Sequence, residues 1–280
     1  MEWVAEAEYR IPYRLSGVRP GAHRGSWAGA GSWFLGVTEF LRYPDARRLD
    51  LRRSLLDPFL QLYVKVFEQR LAATVVIAAD LSASLGVSPH KRKTLLDLSW
   101  AVAASARRLG DRFGFCGFDT QLRQEFTMPP LTTTSWLREM LARLKAHPWS
   151  GGSALGAREL ASWLPPRRSL VFLISDFYWP QALLHQVVTS LKSHWVVPVV
   201  VWCPQEFMDW PQFGLRQVVD AETGKRRLVV LTPTWHRRLK ANLKAWRNRL
   251  ERFFRTQGLS PLWLATYDPM AVRRYFQALC

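Results

Sequence analysis

The sequence has few cysteines, few acidic residues and no long hydrophobic run. Its three cysteines, Cys116, Cys203 and Cys280, are too few and too scattered for a disulfide framework, and none forms the CxxC spacing of a zinc site. The strongest apolar runs, residues 170–174 and 196–202, are far shorter than the roughly 18 residues that a membrane-spanning helix needs. The opening segment has acidic residues where a signal peptide carries positive charge. We therefore expect a cytoplasmic protein with no transmembrane segment.

The shortage of acidic residues makes the protein strongly basic. Its 280 residues include 39 Lys and Arg against 22 Asp and Glu, which gives a formal net charge of +17. Nucleic acids, acidic proteins and anionic membrane surfaces all attract such a charge, so the charge alone does not choose among them. A hydrophobic fraction of 48% excludes a disordered chain. The length suffices for one large domain with or without a small appendage.

Two regions of different texture divide the chain. Residues 1–70 are interrupted by glycines, lack a sustained hydrophobic period and contain the basic run of residues 42–54. This pattern indicates an irregular or β-rich N-terminal arm or a small subdomain. In residues 71–280, short apolar runs alternate with longer amphipathic segments.

The alternation in residues 71–280 predicts an α/β fold. Apolar strands are expected at residues 74–80, 113–118, 169–175, 194–202 and 261–266. Amphipathic helices are expected at residues 91–109, 135–146, 153–163, 180–192 and 234–256, and from residue 269. Such alternation is typical of a doubly wound, mostly parallel sheet flanked by helices. Two short β-prone runs predict a hairpin insertion near residues 214–231.

Polar residues follow the predicted strands at the sheet edge where α/β folds bind ligands. One strand ends in Asp80 and continues into Ser82 and Ser84, another is followed by Asp176, and Ser153 follows two glycines before a predicted helix. Two carboxylates and three hydroxyls are hard oxygen donors, which suit Mg²⁺ or Mn²⁺ and suit zinc or copper poorly. With so few anionic ligands, the cation would recruit a carboxylate from outside the chain. Taken alone, each segment could instead be a helix cap or an Asx turn.

The chain resembles the DUF58 proteins, which carry a von Willebrand factor A-like domain with a metal-ion-dependent adhesion site (MIDAS). The matching segments occur in order and are PDARRLDLRRS (44–54), VKVFE (64–68), DLSAS (80–84), GDRFGFCGFD (110–119), GGSAL (151–155), ISDF (174–177) and VVDAETGKR (218–226). The resemblance implies a site for Mg²⁺, or for Mn²⁺ or Ca²⁺, with the ligands Asp80, Ser82, Ser84, Ser153 and Asp176. Ser153 stands where the motif usually has Thr. Phe177 stands where many adhesion-type domains have Gly, although Phe is usual in this family.

Members of this family are typically encoded beside MoxR-type AAA+ ATPases. The resemblance therefore implies a non-enzymatic adaptor that helps such an ATPase to remodel or mature a client protein, for example a metalloenzyme or a dehydrogenase complex. The expected partner contacts are aromatic residues near the loops that contain the predicted metal ligands (the metal loops) and basic residues of helix 234–256. They are Trp149, Phe177, Trp179, Arg237 and Lys244.

Two other functions fit parts of the sequence. A metal-dependent hydrolase could use the same crevice, and the basic helix could bind nucleic acid, although no motif with stacking aromatic residues accompanies it. A phosphoryl-transfer site of the haloacid dehalogenase type is excluded because Ser82 occupies the position of its second Asp. A P-loop is excluded because Ala157 and Arg158 stand where Lys and Ser or Thr are required.

Overall fold

The computed structural model describes residues 5–15, 19–203 and 210–279, with only the backbone described for residues 26–33. The chain forms two compact units. One comprises Met1–Arg10, Thr74–Arg108 and Arg112–Cys280, and the other comprises Ile11–Ala73 and Leu109–Asp111. The domain boundary that the sequence predicts between residues 70 and 71 stays a prediction.

The smaller unit contains a two-stranded antiparallel sheet. Its strands are β1 (Pro20–Glu39) and β2 (Tyr63–Leu71), and the short helix α1 (Leu51–Leu55) lies between them in the sequence. The carboxylate of Asp111 accepts a hydrogen bond from the backbone N–H of Ala73 at 2.7 Å and pairs with the His23 ring at 2.7 Å. Because β1 and β2 make up much of this unit, the N-terminal region is rich in strand structure, as the sequence predicts.

The larger unit alternates strands with helices. Its strands are β3 (Thr74–Asp80), β4 (Arg112–Phe118), β5 (Leu122–Leu131), β6 (Leu170–Ser175), β7 (Trp195–Val201), β8 (Gly214–Val219), β9 (Arg226–Leu231) and β10 (Leu262–Leu264). Its helices are α2 (Ala83–Gly86), α3 (Pro89–Leu109), α4 (Leu137–Ala146), α5 (Leu160–Trp163), α6 (Gln181–Ser190), α7 (Pro233–Thr256) and α8 (Pro269–Leu279). A 3₁₀ helix, Leu155–Glu159, precedes α5 and takes the first half of the helix expected at residues 153–163.

Six of these strands form the central sheet, in the order β10-β7-β6-β3-β4-β5. All neighbours are parallel except β4 and β5, which are antiparallel at one edge. This strand order, with β3 and β6 adjacent in the middle, is that of a doubly wound sheet, whose ligands bind beyond the carboxyl ends of the central strands. The mostly parallel α/β fold expected from the sequence is confirmed.

Burial on both faces explains the apolar character of the central strands. Every residue of β6 is buried, and so is every residue of β3 except Thr74. Thr232 caps the N-terminus of helix α7, because its hydroxyl accepts a hydrogen bond from the backbone N–H of Trp235. The helix buries Leu250 and Phe254. Strands β8 and β9 form a separate antiparallel hairpin. Among the described residues, no helix combines the length and the hydropathy that crossing a bilayer requires.

Candidate metal centre

Asp80 lies at the carboxyl end of β3, in the centre of the sheet. Its side chain is fully buried, and one oxygen, Oδ1, accepts a hydrogen bond from the backbone N–H of Ser82 at 2.9 Å. The other oxygen, Oδ2, accepts hydrogen bonds from the Ser175 hydroxyl at 2.7 Å and from the Trp179 indole N–H at 3.0 Å. Three donors therefore fix the orientation of this carboxylate.

The loop after Asp80 joins the loop that leads to Ser153. Ser82 forms an isolated parallel bridge with Gly151, and the backbone N–H of Ala83 donates to the Gly151 carbonyl at 2.9 Å. The hydroxyl oxygens of Ser82 and Ser84 lie 3.1 Å apart. The two serines thus share one turn of backbone beside Gly151.

The segment at Gly151 requires glycine because another loop lies against it. A Cβ atom at Gly151 would lie 2.4 Å from the Cβ of Asp119, the first residue after β4. Two residues further on, the hydroxyl oxygen of Ser153 is buried and has no hydrogen-bond partner in the part of the chain that the structure describes. A buried hydroxyl without a partner costs free energy, so this oxygen is a candidate for binding a missing ligand.

Asp176 follows the end of β6 and is buried. Its Oδ1 accepts a hydrogen bond from the backbone N–H of Tyr178 at 3.4 Å, and its Oδ2 lies 3.3 Å from the ammonium nitrogen of Lys91 on α3. Phe177 adopts the left-handed conformation, with φ of 55°. Glycine adopts this conformation most readily, so Phe177 is held in a backbone conformation that a bulky residue disfavours.

The concentration of negative charge in a buried place perturbs the acidic groups. Burial, followed by the charge of Asp176, raises the pKa of Asp80 to about 6, although hydrogen bonds from Ser175 and Ser82 oppose the shift. Burial also raises the pKa of Glu222 to about 7, and the charges of Asp80 and Asp176 add to this effect. A hydrogen bond from Ser84 opposes the shift of Glu222. Without a bound cation, Asp80 and Glu222 therefore lose their protons at a higher pH than exposed carboxyl groups do.

The donor set fits a hard divalent cation. Within the described part of the chain, no group of three or more His, Cys, Asp or Glu residues could hold a metal ion, so a cation here would depend on hydroxyl oxygens. Mg²⁺, Mn²⁺ and Ca²⁺ prefer oxygen donors. The site offers two carboxylates, the two adjacent hydroxyls of Ser82 and Ser84, and the buried hydroxyl of Ser153. These residues therefore fit the divalent cation that the sequence predicts.

The structure brings the predicted metal residues to one edge of the sheet. The charges of Asp80 and Asp176 interact, Ser82 and Ser84 are in contact, and Ser153 follows the glycine that pairs with Ser82. Their role as ligands stays a prediction.

The expected partner contacts divide into two groups. Trp149 is 6% exposed, and its indole N–H donates to the Leu144 carbonyl, while Phe177 is 1% exposed. Their burial makes them packing residues, which corrects the expectation that they contact a partner. Trp179 is half-buried against Asp80, and both Arg237 and Lys244 are exposed on α7.

Three residues of the site escaped the sequence-based prediction of ligands. Ser175 is the last residue of the strand expected at residues 169–175, and the sequence does not indicate that its hydroxyl orients Asp80. Lys91 gave no signal, because it stands among other basic residues of α3. Glu222 lies in the turn between the two β-prone runs that predict a surface hairpin, and that pattern does not indicate a contact with the metal loops.

Comparison with known proteins finds a matching protein family and a related bacterial protein. A family model described as "Protein of unknown function DUF58" matches residues 45–249. The chain belongs to the DUF58 family. A match of 36% identity over 105 residues relates it to an "Uncharacterized protein in moxR 3'region" of Paracoccus denitrificans and covers 37% of this chain and 98% of that protein. The resemblance stated from the sequence is thus confirmed.

Two solved structures are similar to this DUF58 protein. An aerotolerance-related membrane protein from Bacteroides fragilis has 15% identity and a TM-score of 0.45, and the match covers 74% of this chain and 98% of that chain. Proximal thread matrix protein 1 from the mussel byssus, with a zinc-occupied MIDAS motif, has 16% identity and a TM-score of 0.32. That match covers 46% of this chain and 37% of the mussel chain. Likenesses of this degree carry no argument about function.

Proposed function

We propose that this DUF58 protein is a non-enzymatic, metal-dependent adaptor that binds an acidic residue of a partner protein. One observation carries the proposal. Two buried carboxylates, Asp80 and Asp176, interact electrostatically at the carboxyl edge of the central strands, where Ser82 and Ser175 donate hydrogen bonds to Asp80. Ser153 lies two residues after the glycine that bridges Ser82, and its buried hydroxyl has no hydrogen-bond partner among the described residues.

The side chains of the site have separable tasks in this proposal. Asp80, Ser82, Ser84, Ser153 and Asp176 would hold Mg²⁺, or Mn²⁺ or Ca²⁺. When bound, the cation supplies a centre of positive charge that two carboxylates do not surround completely, and that can therefore accept a carboxylate from a partner. Ser175 and Trp179 hold Asp80 in one orientation through the hydrogen bonds to its Oδ2.

The surface beside the site favours an acidic protein as the partner. Tyr178 stacks on Trp246 of α7 with ring centroids 4.6 Å apart, and Phe177 packs edge-on against Phe254 of the same helix. The loop that follows Asp176 therefore lies against α7, whose outer face exposes Arg237 and Lys244. Together with the net charge of +17, these side chains would attract an acidic surface toward the site.

The relative from Paracoccus denitrificans is described by its position in the moxR 3′ region. We therefore propose that the partner is a MoxR-type AAA+ ATPase, that the two proteins remodel or mature a client protein, and that they act in the cytoplasm.

A pull-down experiment tests the metal-dependent interaction. The full chain, Asp80→Ala and Glu139→Gln are used to capture the MoxR-type ATPase of the same organism, in Mg²⁺ and in EDTA. Glu139 is an exposed residue of α4 and serves as a matched loss of one negative charge. The proposal predicts capture by the wild type and Glu139→Gln in Mg²⁺ only, and no capture by Asp80→Ala. Equal capture by all three proteins in both solutions would contradict it.

A screen for turnover tests the proposal that the protein is not an enzyme. The purified protein is incubated with phosphoester and peptide substrates in Mg²⁺ and in Mn²⁺. We expect no turnover above that of the Asp176→Ala variant. Robust turnover that disappears in Asp176→Ala would replace the adaptor by a metal-dependent hydrolase.

A further inference from the structure

The hairpin of β8 and β9 presents a rigid turn that carries Glu222. The carboxylate of Asp220 accepts hydrogen bonds from the backbone N–H groups of Glu222 at 3.0 Å and Thr223 at 2.9 Å. The Asp220 N–H donates to the Lys225 carbonyl at 2.9 Å, and Gly224 closes the turn with a φ of 67°. These contacts lie within the turn, so its shape does not depend on the side chain of Glu222.

Glu222 differs from its neighbours in being directed toward the metal loops. Residues 219–228 of the hairpin are exposed except for Glu222, which is half-buried. Its side chain accepts a hydrogen bond from the hydroxyl of Ser84, one of the predicted metal ligands. Its backbone carbonyl oxygen would lie 3.2 Å from a Cβ atom at Gly152, so the tip of the hairpin lies against the loop that precedes Ser153.

This position is electrostatically unfavourable in the absence of a cation. The charges of both Asp80 and Asp176 act on Glu222, all three groups are acidic, and the ammonium of Lys91 pairs with Asp176 alone of the three in the described contacts. A carboxylate on an otherwise exposed turn could face water at no such cost. Its contact with Ser84 resembles the approach of an acidic ligand to the site, with the difference that this carboxylate belongs to the same chain.

We infer that Glu222 is an internal stand-in for the acidic residue of the partner, so that the hairpin closes the site until a partner carboxylate displaces it. The inference rests on the proposed function, because it presumes that the site of Asp80 and Asp176 would hold a cation. Partner binding is then an exchange of one carboxylate for another. The affinity for a partner includes the cost of moving the hairpin away from Ser84.

Removal of the internal carboxylate tests this inference. Glu222→Gln keeps the size of the side chain and leaves the Asp220 hydrogen bonds of the turn in place, while Glu139→Gln removes a negative charge elsewhere. The probe is an acetylated and amidated Gly-Glu-Gly peptide, and the Gly-Gln-Gly peptide is the blank. Each protein is loaded with Mn²⁺, and the paramagnetic broadening of the peptide proton signals is titrated by NMR.

We expect Glu222→Gln to bind the glutamate peptide at least tenfold more tightly than the wild type does, Glu139→Gln to match the wild type, and the glutamine peptide to bind none of them. Equal affinities of the wild type and Glu222→Gln, with Mn²⁺ bound to both, would overturn the inference and leave the metal site intact. A loss of Mn²⁺ binding in Glu222→Gln would also overturn it, because Glu222 would then be an ordinary ligand.

The free Mn²⁺ signal in electron paramagnetic resonance, recorded on the same samples, separates this failure from a failure of the proposed function. If the wild type binds no Mn²⁺, or binds it no better than Asp80→Ala does, the metal site itself is refuted and the role of Glu222 is refuted with it.

Discussion

The affinity for a divalent cation should depend on pH through Asp80. Only the ionised carboxylate binds a cation strongly, so protons and the cation compete for this side chain. Its pKa is raised to about 6 because it is buried and because Asp176 lies nearby. Lowering the pH through 6 should therefore weaken cation binding. An aspartate with an ordinary pKa near 3.8 would show almost no change in this range.

The size of the effect follows from the fraction of Asp80 that is ionised. With a pKa of about 6, roughly one tenth of this side chain is ionised at pH 5 and roughly nine tenths at pH 7, so the dissociation constant should be about tenfold larger at pH 5. A pKa of about 6 in place of the ordinary 3.8 means that ionised Asp80 costs the fold about 3 kcal/mol when no cation is bound.

The raised pKa of Asp80 also makes the stability of the folded protein depend on pH. Because the pKa of Asp80 is higher in the folded protein than in the unfolded chain, the protein in EDTA should be most stable below pH 4 with respect to this group. This contribution is lost as the pH rises through 6. Bound Mg²⁺ offsets the loss, so the difference in Tm between Mg²⁺ and EDTA should widen from pH 5 to pH 7.

Titration with Mn²⁺ at several pH values between 5 and 8 measures the affinity, with the free ion followed by electron paramagnetic resonance. Glu222→Gln is measured in parallel, because the pKa of Glu222 is raised to about 7 and its ionisation falls in the same window. Asp176 and Lys91 remain in both proteins as the other charged groups beside Asp80. A dissociation constant that is constant from pH 5 to pH 7 in Glu222→Gln would refute the reasoning.

Three further predictions concern the surroundings of the site. Phe254→Ala should lower the free energy of unfolding by about 3–5 kcal/mol and shift the urea midpoint, because this ring is fully buried. Gly151→Ala should weaken Mn²⁺ binding at least tenfold, as measured by the same titration, because the new Cβ would lie 2.4 Å from the Cβ of Asp119. Lys91→Met leaves Asp176 without its buried ammonium and should cost about 3–5 kcal/mol in EDTA. Mg²⁺ should reverse much of that loss in thermal unfolding.

The strands and their ends could be predicted from the sequence because burial dictates their composition. Strands β3 and β6 are buried nearly throughout, so they consist of apolar residues, and the first polar residues mark the edge of the sheet. Parallel neighbours bring those edges together, which is why Asp80 and Asp176 could be expected to meet. The helices are visible by the same logic, since one apolar stripe in each must face the sheet.

The environment of individual polar and aromatic side chains could not be predicted in this way. Trp149 occupies a loop position that is typical of exposed anchors, but Gly86 leaves room for it. A Cβ atom at Gly86 would lie 2.5 Å from the Cβ of Trp149. Glu222 stands in a turn whose composition is that of a solvated loop. Contacts between segments far apart in the chain decide both cases, and no local pattern records them.

The metal loops are costly to the fold in several independent ways. Asp80 and Asp176 repel each other in a buried place, although Lys91 pairs with Asp176. Among the described residues the Ser153 hydroxyl has no hydrogen-bond partner, and Phe177 holds a left-handed conformation that costs about 1 kcal/mol or more. A purely structural edge of the sheet would gain stability from apolar residues at these positions. One cation with oxygen ligands would relieve the repulsion and the unpaired hydroxyl together. The concentration of these costs at a single edge is therefore better explained by ligand binding than by stability.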